Sequence, residues 1–153
     1  MSQVLGVVIE HDHEGIKPVS LEVISAARKL ADQISGKVIA FYLGHDKDEG
    51  ADIFIKNGAD EVRFLIHPNL NTYIHENYGF ALTRELEKSP VDYLFLPATN
   101  NGKELSAVLS AQLGVGVATD CISLSVWGEG DVEAVRPVSA GKALSTVRFK
   151  GKK

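Results

Sequence analysis

Val4-Leu5-Gly6-Val7-Val8-Ile9 is an unbroken apolar run, and Val38-Ile39-Ala40-Phe41-Tyr42-Leu43 repeats the pattern. A strand with one wet face alternates apolar and polar residues. A strand covered on both faces has no need to, so such runs point to a parallel sheet with helices on each side. Val62-Arg63-Phe64-Leu65-Ile66 and Tyr93-Leu94-Phe95-Leu96 read as two further strands. The intervening segments supply helices. Pro18 suits a first helical turn, and Val23, Ala27, Leu30 and Ile34 recur at helical spacing until Gly36 stops the run. Residues 51–57 give a short helix that Gly58 ends, and Ile74, Tyr78, Ala81, Leu82 and Leu86 share one face of a third, with Pro90 beyond it. Asn101 with Glu104 three positions on has the form of a capping box, opening a helix that carries Leu105, Val108, Leu109 and Leu113.

The last quarter changes character. Residues 119–127, 132–138 and 143–149 are β-rich, separated by the turns Gly128-Glu129-Gly130-Asp131 and Ser139-Ala140-Gly141-Lys142, with no helix between them. The expected fold is therefore α/β: an open, mostly parallel, Rossmann-like sheet of 3-2-1-4-5 type order with helices on both faces, plus a C-terminal antiparallel β extension leaving the sheet edge. Residues 1–153 read as a single domain.

Composition narrows the function. Apolar residues make up 44% and charged residues 24%, as in ordinary globular domains, and the formal charge of −4 repels phosphate backbones, so no nucleic acid is expected as a partner. The one basic cluster, Lys150, Lys152 and Lys153, reads as a solvated end. No apolar run approaches the length of about 20 residues that a membrane helix needs, and no membrane insertion is expected. Cys121 is the sole cysteine, which removes intrachain disulfides and CxxC chemistry; it reads as a small buried residue in a strand, in a reducing compartment. The start has no secretory or transit character, so a cytoplasmic location, or the matrix for a mitochondrial protein already processed, is expected.

The polar loop Leu96-Pro97-Ala98-Thr99-Asn100-Asn101-Gly102-Lys103-Glu104 lies between a buried strand and a helix start. Ligands of open parallel sheets sit outside the carboxyl ends of the strands, and free N–H groups at a helix start attract anions. A phosphate fits that description; so does the plainer reading in which Asn101 caps the helix and Gly102 eases the turn. No GxGxxG follows the first strand, and no Walker-type GxxxxGK[ST] occurs. The nucleotide-binding candidates are Glu10 and His11 at the end of the first strand, with Thr99, Asn101 and Gly102 around the phosphate, in what reads as a vestigial loop. His11, His13, His45 and His67 follow the first three strands, but no carboxylate or cysteine completes a metal-ligand spacing. No GxSxG elbow occurs, and the acidic residues Asp46, Asp48, Glu49, Asp60 and Glu61 sit in loops or at element ends, so no catalytic residue is identified.

Several stretches, in order, resemble the amino-terminal domain of electron transfer flavoprotein alpha subunits and the related nitrogen-fixation electron carriers. They are Val7-Val8-Ile9-Glu10-His11 with Lys17-Pro18-Val19-Ser20-Leu21-Glu22; Asn57-Gly58-Ala59-Asp60-Glu61-Val62; residues 96–105; Leu113-Gly114-Val115-Gly116; Thr119-Asp120-Cys121; Arg136-Pro137; and Ala140-Gly141-Lys142-Ala143. Two departures are mild: the family usually has Gly-Gly where Ala140-Gly141 stands, and an arginine near Lys103.

The resemblance implies a fold of the adenine nucleotide alpha hydrolase-like group, packed against a beta subunit. It implies electron transport from acyl-CoA or other dehydrogenases, as in fatty acid beta-oxidation, to a quinone reductase or another acceptor. FAD would be held chiefly by a second alpha domain and AMP, where present, by the beta subunit. That flavin domain would begin after Phe149-Lys150-Gly151, so its FAD-binding positions are absent from these residues, and little FAD binding by this chain alone is expected. The expected role is a non-enzymatic platform for assembly, with Val126, Trp127, Val135 and Val138 as a candidate contact face. The alternative is a stand-alone adenine-nucleotide binder resembling universal stress proteins, whose glycine-rich phosphate loop after the fourth strand this sequence does not match.

Overall fold

The computed structural model describes residues 2–46 and 50–149; Asp48, Glu49, Lys150, Lys152 and Lys153, read above as loop and tail charges, lie outside them. In chain order the elements are β1 (Val4–Val8), β2 (His11–Asp12), β3 (Gly15–Ile16), α1 (Pro18–Ile34), β4 (Lys37–Gly44), α2 (Ala51–Lys56), β5 (Glu61–Ile66), a 3-10 turn (Pro68–Leu70), α3 (His75–Lys88), β6 (Tyr93–Phe95), α4 (Asn100–Leu113), β7 (Ser123–Trp127), β8 (Asp131–Val138) and β9 (Ala143–Arg148). Every helix and long strand read from the sequence is present. The two-residue strands β2 and β3, an antiparallel pair inside the loop before α1, are additional.

The main sheet is parallel, in the order β5-β4-β1-β6. Counted by appearance this is 3-2-1-4, and among the described residues no fifth strand follows β6. Its two faces are filled by alternate residues. Leu5, Val7 and Ile9 of the first strand region join Val38, Ala40 and Tyr42 of β4 beneath α1 and α2, through Ile24, Ala27, Leu30 and Phe54. Val8, Ile39, Phe41 and Leu43 face the other way, onto Tyr78, Leu82 and Leu86 of α3 and Leu105 and Leu109 of α4. The unbroken apolar runs are thus explained: each successive residue meets a different helix layer. Gly6 is the exception in β1, since a Cβ there would lie 2.9 Å from both Leu94 and Phe41 side chains.

The antiparallel sheet, order β7-β8-β9, stands apart from the parallel one. It is the antiparallel extension expected at the C-terminus, and it packs over α1, with Leu124, Val126 and Val132 turned into the α1-side core. Tyr93 Oη of β6 accepts the Val132 N–H at 3.1 Å, and the Tyr93 and Phe149 rings meet edge to face at 6.2 Å. The expected contact face is accordingly split. Val126 points inward, while Trp127 points out, 46% exposed, beneath the Arg148 guanidinium 4.2 Å from its ring centre.

Candidate functional site

The carboxyl ends of β1 and β6, neighbours in the sheet, bring together residues 89 positions apart. Glu10 leaves β1 and is fixed at three points. Ser20, fully buried in α1, accepts the Glu10 N–H at 2.7 Å and donates to the Glu10 carbonyl at 3.1 Å. The Lys17 ammonium donates to Glu10 Oε1 at 3.1 Å. Thr99 donates its hydroxyl to Glu10 Oε2 at 2.6 Å. With its side chain 11% exposed, the Glu10 carboxylate is held by a cation, a hydroxyl and a clamped backbone.

Thr99 has a second task. Its oxygen accepts the Gly102 N–H at 3.0 Å, which makes Thr99 the N-cap of α4. This corrects the expected capping box. Asn101 lies inside the first turn, exposed, where its carbonyl accepts the Tyr73 hydroxyl at 3.1 Å. Glu104 does not fold back on the cap; its carboxylate, 3.0 Å from the Tyr73 hydroxyl, shares that single proton with the Asn101 carbonyl and lies 3.3 Å from His75 Nδ1. Burial, then the Glu104 carboxylate, pushes the Tyr73 phenol well above its ordinary range, so it stays a donor. Gly102 is required for packing: a Cβ there would overlap the Pro97 carbonyl oxygen.

Of the nucleotide-binding candidates, then, Glu10, Thr99 and Gly102 converge. His11 turns toward β4, where Nε2–H donates to the Leu43 carbonyl at 2.5 Å and the ring stacks on Tyr42 at 4.4 Å and 11°. The other loop histidines have local roles. His67 Nδ1 accepts the Asn69 N–H at 3.0 Å and caps the 3-10 turn; His45 sits 2.9 Å from Asp46. Among the described residues no group of three metal-ligating side chains converges. Cys121 stands two residues ahead of β7, not in a strand, and is half-buried with Sγ 3.5 Å from the Ala118 carbonyl; burial pushes its thiol up, away from thiolate.

An incoming pyrophosphate at the α4 N-terminus would face the Glu10 carboxylate across a hydroxyl already committed to both Glu10 and Gly102. The Lys17 ammonium at 3.1 Å offsets the Glu10 charge, so what a phosphate would meet first is a hydroxyl and an N–H that already have partners. As they stand, the Thr99 hydroxyl and the Gly102 N–H are engaged with groups of this chain and not free for the pyrophosphate of FAD or an adenine nucleotide.

Further groups quoted from the sequence separately also meet. Arg136 of β8 donates through Nε to the Thr119 carbonyl at 2.8 Å and through Nη2 to Thr119 Oγ1 at 3.3 Å, while Lys103 of α4 pairs with Asp120 at 2.8 Å. Asp120 itself has φ 56°. Thr119-Asp120 is thereby bolted between α4 and β8, fixing the antiparallel sheet to the body. Spacing alone carries no sign of these long-range pairs.

Among the described residues, no helix is long and apolar enough to cross a membrane. The electron transfer flavoprotein domain family matches residues 5–153. The chain is 34% identical over 145 residues to Protein FixB of Azorhizobium caulinodans, covering 92% of this chain and 39% of that protein. It is 33% identical over 132 residues to the electron transfer flavoprotein subunit alpha of Bacillus subtilis, covering 86% and 40%. It is also 30% identical over 141 residues to subunit LctC of the Acetobacterium woodii lactate dehydrogenase (NAD(+),ferredoxin), covering 92% and 34%. The chain thus spans about two fifths or less of the curated relatives it matches.

Proposed function

Since the chain belongs to the electron transfer flavoprotein domain family, we propose that it is the alpha-type amino-terminal domain of such a carrier. Its task is to serve as a platform on which a beta subunit and a flavin-holding domain assemble. In that complex FAD passes electrons from a dehydrogenase to a quinone reductase or other acceptor. This chain contributes protein surface and no catalytic group, and it works in the cytoplasm or an equivalent matrix. The single observation behind this reading is that one family matches residues 5–153, while the loop before α4 is bonded to the chain's own Glu10 carboxylate.

Glu10, Thr99 and Gly102 are, in this reading, the remnant of a nucleotide loop in which a carboxylate stands where a ligand anion would lie; His11 and Asn101 flank it. A stand-alone adenine-nucleotide binder is the less favoured reading, because the loop's hydroxyl and N–H are already bonded within the chain. The domain borders 1–153 and the AMP of a beta subunit belong to the same proposal.

Co-expression with a bacterial electron transfer flavoprotein beta subunit tests it. Sedimentation at micromolar concentration is expected to show a one-to-one complex. Two independent species, with each partner folded, would contradict the platform role.

A further inference from the structure

Tyr73 stands in the loop before α3, and its half-buried phenol turns back onto the first turns of α4. Its one hydroxyl proton is shared between the Asn101 carbonyl at 3.1 Å and Glu104 Oε1 at 3.0 Å. The two acceptors differ in kind. A backbone carbonyl accepts a hydrogen bond and no more, whereas a carboxylate can take the proton outright. Glu104 is also exposed, so a proton it takes can pass on to water.

A phenol that gives up an electron becomes a strong acid. Its oxidation is therefore easiest where a base already sits on the hydroxyl, ready to receive the proton in the same event. We propose that Tyr73 is a redox-active tyrosine, the residue at which this chain yields an electron to a strong one-electron oxidant reaching its surface. The step balances within the pair. One electron leaves the phenol for the oxidant, the Tyr73 O–H bond breaks, and the proton bonds to Glu104 Oε1. The products are a neutral tyrosyl radical, a carboxylic acid and the oxidant reduced by one electron.

The competing side chains are each placed less well. The chain's one indole, Trp127, is exposed, but the Arg148 guanidinium lies 4.2 Å from its ring centre. Removing an electron from indole leaves a radical cation, which a fixed cation over the ring opposes. Cys121 is half-buried and held as the thiol, whereas oxidation follows thiolate character. Tyr42, Tyr78 and Tyr93 are buried. The Tyr78 hydroxyl faces the backbone carbonyls of Leu43 and Leu70, and its ring meets that of Tyr73 edge to face at 5.1 Å. An electron vacancy on Tyr78 thus runs outward, to the neighbour whose hydroxyl has a carboxylate. The proposal rests on the contacts of Tyr73 and not on the subunit reading above; its failure leaves the association test with a beta subunit untouched.

Flash photolysis of the intact chain with tris(bipyridine)ruthenium(II) and persulfate tests it, the flash generating the ruthenium(III) oxidant. Optical and electron paramagnetic resonance spectra tell tyrosyl from tryptophanyl radicals. The parent chain is expected to give a tyrosyl radical, and Tyr73→Phe, which keeps the ring and its packing, to lose most of that signal. Glu104→Gln still accepts a hydrogen bond but takes no proton, and is expected to slow radical formation by about tenfold or more. Circular dichroism establishes that both variants are folded as the parent is. A tryptophanyl radical in place of the tyrosyl one in the parent, an undiminished tyrosyl signal in Tyr73→Phe, or an unchanged rate in Glu104→Gln would overturn the proposal.

Discussion

The Thr99 hydroxyl donates to the Glu10 carboxylate at 2.6 Å and at the same time accepts the Gly102 N–H at 3.0 Å, so one oxygen joins the end of β1 to the start of α4. The pair is expected to behave as a unit. Removing the cap alone, Thr99→Ala, should cost about 1 kcal/mol, and Glu10→Ala about 1–3 kcal/mol, because it strands a half-buried lysine and hydroxyl. A double-mutant cycle read by urea denaturation should give a coupling of about 1 kcal/mol or more. Simple additivity of the two losses would mean the contact contributes nothing.

Gly102 packs against the Pro97 carbonyl with no room for a methyl group. Gly102→Ala should therefore destabilise the domain by about 1–3 kcal/mol, although alanine is the better helix former by about 1 kcal/mol. An unchanged or raised melting temperature would show that the loop yields easily.

Ala140 stands in the β8–β9 turn with φ 54°, beside Gly141 at φ 82°. A side chain in this left-handed region is strained, and glycine is not. Ala140→Gly should stabilise the chain by about 0.5–1 kcal/mol despite the looser unfolded state, and Ala140→Val should destabilise it. Urea midpoints measure both.

Acid should weaken the β4–β5 end of the sheet first. Burial alone would raise the Asp60 carboxyl, but the Val38 N–H and the Arg28 guanidinium outweigh it and hold it below its ordinary 3.8. Hydrogen bonds from Lys37 and Arg63 hold Glu61 below its ordinary 4.5. Carboxyls depressed in the folded state contribute stability that is complete above those ordinary values and lost as pH falls through the folded ones. Stability measured from pH 6 downward should thus begin to fall near about pH 5, and Asp60→Asn with Glu61→Gln should flatten that fall. Asp60 is exposed and Glu61 about one-third exposed, so added salt should reduce the effect. An equal slope in parent and variant would contradict the assignment.

The parallel core was legible because its strands are buried on both faces: Val38 to Leu43 could be read as a strand without any partner in view. What the sequence concealed was set by tertiary register. Asn101 and Thr99 are both good capping residues, each three positions from a plausible partner, and only the approach of Glu10 from β1 decides for Thr99. His11 and Glu10 are adjacent in the chain, yet the pleat sends one toward β4 and the other toward β6. The inward turn of Val126 depended on where the antiparallel sheet docked, and no local pattern records that α1 is its seat. Ala140 was visible as a departure from a glycine pair; the positive φ that gives the departure its meaning was not.

In the proposed role this fold supports a flavoprotein assembly without holding the redox group itself. Visible flavin absorbance per mole of chain, after incubation with excess FAD and gel filtration, tests it most directly. A colourless chain is expected, with the Thr99 hydroxyl and the Gly102 N–H of the loop already bonded within the fold. Stoichiometric flavin retained by these residues alone would contradict it.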